Sequence, residues 1–397
     1  MMDAQERILT TMNHEEPDKV PAFESAFTNN SIMTYYGLPP DESQMGLALL
    51  NQIPVENRSK ILMKMVKKRS ILKASYKNLY ELYRRAKIDL VTSNTTYFPK
   101  DIIDFKDDKV GLGFIDEYGR IMRFEQYKDG TFILGYQGGH FKSFEEYESW
   151  EPLDPHWEAR MNGFLGGRDV QMDMNNEIFS IPATASLMEV TWQIFGIELF
   201  SKILARPKQA KRIFDDHGKF ALELVKILAE NDAQIVLLWD DYGFKNGLFM
   251  SPRNYRTYVF PWIKRICEAA HKRDCKIILH SDGDLTEIFE DIIKSGVDGL
   301  NPIEPTTANP DYDIFKLYEK YGDKLTFIGN VSPMMLAAGE ISEIENYTKK
   351  LIKELAPGGG YILSSGHSIN PAVTVDRFLA MHNIKEKYGK YPINIAN

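Results

Sequence analysis

Cysteine is nearly absent: Cys267 and Cys275 are the only two in 397 residues. Two thiols make no disulfide framework, and their scarcity fits a reducing compartment, so a cytoplasmic location is expected. Both read as small buried hydrophobes. No run of 18 or more apolar residues occurs, which excludes an apolar membrane-spanning helix. The opening stretch MMDAQERILTTMNHEEPDKV is polar and acidic, without the basic and apolar regions of a secretory signal. Positive charge is not in excess. The 48 Lys and Arg stand against 56 Asp and Glu, a net charge of −8, which argues against nucleic acid or an anionic membrane as a partner.

Also missing is a dinucleotide fingerprint. GYQGGH (135–140) and APGGGY (356–361) lack the strand–turn–helix setting that G-x-G-x-x-G requires. There is no internal repeat, low-complexity tract or domain linker. What is present is a hydrophobic share of 43%, ample for a full core.

The second half alternates strand-length apolar runs with helix-like segments. The runs are IVLLW (235–239), KIILH (276–280), DGLNPIE (298–304), LTFIGN (325–330) and YILSS (361–365). The first half adds KVPAFE (19–24), IDLVTS (88–93) and IFSIPA (178–183), with helical material at 56–87 and 186–230. Continuous apolar strands separated by helices predict a parallel sheet. Eight of them predict a (β/α)8 barrel, one domain over residues 1–397, with an open doubly wound sheet as the competing arrangement. The aromatic, turn-rich stretch 95–170 breaks the alternation. DEYGRIMRFEQYKDGTFILGYQGG within it predicts a β-hairpin turning at KDG, and the stretch is read as a lid-like insertion over the barrel mouth.

In such a barrel the carboxyl ends of the strands converge on one face, where active sites sit. Those ends carry Glu24, Asp240, Asp241, His280, Asp282, Glu304, Asn330 and His367. In LHSDGDL the strand stops at His280, and Asp282 follows at i+2, on the same face of an extended segment. His367, in SSGHSINP after the last strand, returns beside the first. His280, Asp282 and His367 therefore form the expected metal site, suited to zinc with an open position, with Glu304 or an Asp of WDD as a further ligand. A lone strand-end histidine is more often structural; two of them with an i+2 carboxylate reverse that preference. Asp240 and Asp241 are equally suited to capping a helix, and Asp284 reads as a cap for LTEIFEDII.

The ordered series WDDYG, MSPRNYRTYVFP, LHSDG, GVDGLNPIEP, FIGN, APGGGYIL and SSGHSINP resembles the uroporphyrinogen decarboxylase superfamily, clearly over about residues 185–393 and loosely over the amino-terminal 90. That resemblance implies a (β/α)8 barrel. True decarboxylases of the superfamily carry an arginine-rich motif near the amino terminus. The corresponding VPAFESAFTNNSIMTYYG has no arginine, and a polycarboxylate substrate needs such bidentate donors. The corrinoid-linked methyltransferase branch is the better match. Its zinc site pairs a histidine with two cysteines; here His280 stands at the histidine, with Asp282 and His367 where the cysteines would be. Oxygen and nitrogen donors make a harder Lewis acid, suited to an ether oxygen.

The resemblance thus implies a zinc-dependent methyltransferase moving a methyl group from a methoxylated aromatic compound to the cobalt(I) corrinoid of a partner protein. The chain has no D-x-H-x-x-G signature, so the corrinoid is expected on that partner. Asp240, Asp241 and Glu304 are expected to serve the chemistry, and Glu24, Asn330, Trp239 and Tyr242 to contact substrate. A homodimer is compatible with the resemblance. The alternatives are methyl transfer to a thiol or folate, and a metal-free decarboxylase.

Overall fold

The computed structural model describes residues 2–39, 57, 61, 64–65, 67–105, 112–128 and 130–395. Seven parallel strands form one curled sheet in the order β1 (Leu90–Asn94), β6 (Phe179–Ala185), β7 (Ile235–Trp239), β10 (Lys276–His280), β11 (Gly299–Asn301), β12 (Thr326–Val331) and β13 (Tyr361–Ser365). Three of these have the bounds expected from the sequence. The eighth position is held by two parallel bridges, Ala22 with Leu363 and Phe23 with Leu90, which join the last strand to the first and close the (β/α)8 barrel. The expected strand 19–24 is reduced to these bridges for a local reason. Pro21 has no N–H to donate, and the Ala22 N–H goes to the Asp89 carboxylate at 2.8 Å.

Strand alternation decides what faces the barrel axis. Ile235 and Leu237 of β7, Ile278 of β10, Ile328 of β12 and Ile362 of β13 pack inward with Phe23, Leu90 and Ile181. Helix Ala4–Met12 adds Ala4, Ile8 and Met12 to this inner cluster, and Trp239 packs against it. The intervening Val236, Leu238, Ile277 and Leu279 belong to the outer core beneath the helices. Cys267 and Cys275 are both buried, the latter just ahead of the amino end of β10.

The stretch after β1 is more than a hairpin. β2 (Pro99–Asp104), β3 (Leu112–Asp116), β4 (Arg120–Gln126) and β5 (Phe132–Gly139) form a four-stranded antiparallel sheet. Of the expected KDG turn between β4 and β5, Asp129 lies outside the described residues, as does much of 56–66 in the expected helix 56–87. The added sheet abuts helix Met188–Gln193, which follows β6: Arg120 donates to the Gln193 side chain at 2.8 Å and Tyr136 to its carbonyl at 2.6 Å. Residues 158–170 belong to helix Glu158–Asp173, which packs on β1 and β6 as a barrel helix. A small hairpin, β8 (Gly243–Phe244) and β9 (Gly247–Leu248), follows β7.

Candidate metal and active site

His280 is the last residue of β10, two positions from Ile278 and therefore on the barrel's inner face. Its neighbour by register is Asn301, the last residue of β11. The Asn301 amide nitrogen donates to the Ile328 carbonyl at 3.1 Å, which directs its oxygen at His280 Nδ1, 2.7 Å away. That oxygen can only accept, so Nδ1 carries the proton and Nε2 presents a lone pair.

The His280 Nε2 lies 4.0 Å from Asp241 Oδ1 and 4.0 Å from Asp282 Oδ1. One ligand atom from each of Asp241, His280 and Asp282 lies within 4.8 Å of the others. The Asp282 Oδ1 atom is buried and has no hydrogen-bond partner. An unpaired buried carboxylate oxygen is costly unless something cationic meets it. Burial, the charge of Asp282 and that of Glu189 push the Asp241 carboxyl well above its usual range. Burial, Glu304 and Glu189 push Asp282 up to about 8. Two such carboxylates beside one imidazole lone pair suit a divalent cation with mixed nitrogen and oxygen ligands.

His367 stands next to this group rather than inside it. Its Nε2 is 3.5 Å from Asp282 Oδ2, its side chain is 49% exposed, and its Nδ1 contacts the Ser368 hydroxyl at 2.9 Å. Burial, then His280, lowers its pKa. The residue expected to serve the chemistry, Asp241, thus takes the place in the three-residue group that the sequence reading gave to His367. The Asp282 N–H donates to Asp241 Oδ1 at 2.9 Å, fixing the two loops against each other.

Asp240 and Asp241 point to different tasks. The strand alternation that sends Trp239 inward sends Asp240 outward, where its Oδ1 accepts the backbone N–H groups of Leu187 and Glu189 at 3.0 Å and also that of Met188. Asp240 therefore caps helix Met188–Gln193 and does not face the cluster. Tyr242 is fully buried among Tyr255 and Phe260, away from any open surface. Glu24 is also buried, and its carboxylate accepts from the Ser365 N–H at 3.2 Å and from the Ser365 hydroxyl. Burial pushes Glu24 up to about 8. Asn330 is used on both sides of its amide, donating to the Ile303 carbonyl and accepting from the Tyr347 hydroxyl, each at 2.8 Å. Glu304 accepts from the Gly283 N–H at 2.8 Å and from the Thr306 hydroxyl, shaping the loop that carries Asp282. Trp239 sets its ring edge-on to His280, centroids 4.4 Å apart.

Two residues of this site escaped the sequence reading. Asn301 sits in the noted NPIEP segment, but its tie to His280 depends on which strands are neighbours. Glu189 reads as an ordinary acidic residue in a helix first turn, and only the fold aims it at Asp241 and Asp282.

Fold and cluster together define a (β/α)8 barrel with a candidate metal site at the carboxyl ends of its strands. A family model described as Uroporphyrinogen decarboxylase (URO-D) matches residues 188–388, just over half of the sequence, and the chain belongs to that family. The uroporphyrinogen decarboxylase of Colwellia psychrerythraea is 24% identical over 240 residues, 56% of this chain and 64% of that protein. That of Alkalilimnicola ehrlichii is 23% identical over 190 residues, 46% and 49%. That of Pseudoalteromonas atlantica is 23% identical over 303 residues, 71% and 77%. In the first two of these the chain spans only about half to two thirds of the relative's length. Among solved structures, a methyltransferase from Methanosarcina mazei superposes over 98% of this chain and 99% of its own, with a TM-score of 0.68 at 15% identity, which shows a shared fold. Among the described residues no helix is long and apolar enough to cross a membrane.

Proposed function

We propose that the chain is a zinc-dependent methyltransferase that takes the methyl group of a methoxylated aromatic compound and delivers it to the cobalt(I) corrinoid of a partner protein. The observation that carries the reading is the cluster of Asp241, His280 and Asp282, with an unpaired carboxylate oxygen and an imidazole lone pair directed at one point. Family membership and the fold shared with a protein described as a methyltransferase support it. The arginine-free stretch 20–37 speaks against a polycarboxylate substrate, although the curated relatives are named as decarboxylases.

Asp241, His280 and Asp282 would hold the zinc, with His367 able to reach it as a fourth donor. When bound, zinc supplies Lewis-acid polarisation of the ether oxygen, and the partner's corrinoid supplies the nucleophile. The chain's own part is to orient and stabilise. Asn301 keeps the proton on His280 Nδ1, so the coordinating nitrogen needs no deprotonation. Glu304 and the Asp282 N–H lock the loop geometry. A thiol acceptor is disfavoured, since no cysteine is among the clustered ligands of the described residues.

The test joins metal analysis with turnover. Wild-type protein should purify with, or take up, about one zinc per chain, and His280→Ala should lose it while keeping its fold. Zinc-loaded protein should convert a methoxyarene to the phenol only when a cobalt(I) corrinoid protein is supplied. A wild-type protein that binds no zinc when it is supplied removes the reading.

A further inference from the structure

One short strap, residues 301–304, serves both His280 and Asp282. Asn301 holds His280 Nδ1 at 2.7 Å. Glu304, three residues on, accepts from the Gly283 N–H at 2.8 Å, next to Asp282. Between them Ile303 is buried at φ +55°. In that left-handed region a β-branched side chain crowds its own backbone, so Ile303 does not take this conformation by preference. The surroundings must impose it.

The contacts that hold Ile303 run outward. The Asn330 amide nitrogen donates to the Ile303 carbonyl at 2.8 Å, and the Asn330 side-chain oxygen accepts from the Tyr347 hydroxyl at 2.8 Å. The Ile303 carbonyl can only accept, which fixes the end of the Asn330 amide that faces it and leaves the oxygen for Tyr347. Tyr347 lies on helix Ile341–Leu355, which packs on β12 and β13, and its ring stands edge-on to Phe315 with centroids 6.1 Å apart. The strap also crosses β12 closely: a Cβ on Gly329 would come within 2.1 Å of the Pro302 carbonyl oxygen. Only a bare glycine lets Pro302 lie there, beside Asn330.

We infer that Asn330 and Tyr347 are positioning residues for the metal cluster: a hydrogen-bond chain from an outer helix holds the 301–304 strap, and the strap sets His280 and Asp282 relative to each other. Asn330, which the sequence reading gave to substrate, acts instead through Ile303. The consequence for zinc rests on the reading of Asp241, His280 and Asp282 as its ligands; the hold on the strap does not.

The test uses three variants. Tyr347→Phe removes the hydroxyl and keeps the ring, and Asn330→Ala removes the link itself. Tyr318→Phe, which loses a phenol contact of 3.3 Å to the Gly359 carbonyl, is the control. Hydrogen exchange over residues 281–285, read by mass spectrometry on metal-free protein, should quicken about 3- to 10-fold in Tyr347→Phe and further in Asn330→Ala, with no change in Tyr318→Phe. Zinc affinity should fall by about threefold or more in Tyr347→Phe, and the d–d absorption bands of its cobalt(II)-loaded form should shift. Exchange at 281–285 equal to wild type overturns the inference, as does quickening spread evenly along the chain. Faster local exchange with zinc affinity and cobalt spectrum unchanged overturns the strap's role in setting the ligands. Faster local exchange in a protein that takes up neither zinc nor cobalt supports the hold on the strap and removes the metal reading alone. Should Asn330→Ala fail to fold, Tyr347→Phe decides.

Discussion

The His280 Nδ1 donates to the Asn301 side-chain oxygen across 2.7 Å, and the Asn301 nitrogen is itself anchored to the Ile328 carbonyl. Two adjacent strand ends thereby fix which histidine nitrogen is free. The free one faces Asp241 and Asp282.

Asn301→Ala should therefore weaken zinc binding by about 10- to 100-fold, because the ring loses the partner that fixes its tautomer and orientation. Competition with a chromogenic chelator measures this. An affinity unchanged from wild type would show that Asn301 does not orient the ligand.

The adjacent pair Asp240 and Asp241 should separate cleanly. Asp240→Ala leaves the first amides of helix Met188–Gln193 without an acceptor and should cost about 1–3 kcal/mol of stability, with zinc stoichiometry retained. Asp241→Ala should lose zinc at little cost to the fold. Denaturant unfolding together with elemental analysis of both variants distinguishes the two roles, and a reversed pattern would exchange them.

Gly283 follows Asp282 in a left-handed conformation, φ +92°, and a Cβ there would meet the Gly243 carbonyl carbon at 2.3 Å. Gly283→Ala should thus be strained twice, by its backbone and by the β8–β9 hairpin, and should cost about 1 kcal/mol or more. The shift should displace Asp282 and lower zinc affinity alongside stability. Stability equal to wild type would mean that the hairpin yields freely.

His217 is buried, and desolvation lowers its pKa to about 4. Buried His382 is lowered to about 3 by the same cause. An unfolded chain protonates these rings near pH 6.5, whereas the folded one holds them neutral. Stability should accordingly fall as pH drops from about 6.5 towards 4, by roughly 3 kcal/mol for His217. His217→Gln should flatten that slope in urea unfolding curves taken across the range. An identical slope would place the proton uptake elsewhere.

Most of the barrel was legible because buried parallel strands are long apolar runs, and such runs stand out between amphipathic helices. IVLLW, KIILH and YILSS became strands with the expected bounds. The closing strand was less so, because Pro21 and the Asp89 carboxylate replace ladder hydrogen bonds with other contacts. The added sheet was visible only as its last hairpin, β4–β5, since β2 and β3 pair through contacts that short-range turn signals do not announce.

By itself, then, the sequence determined the strand–helix alternation and put His280 and Asp282 on one face, because both follow from periodicities of a few residues. Tertiary structure alone decided that Asp241 joins them while Asp240 caps a helix, that His367 stands alongside, and that Asn301 and Glu189 belong to the site. Those assignments depend on which strand ends become neighbours when the sheet curls, a relation between residues tens to hundreds of positions apart that no local pattern encodes.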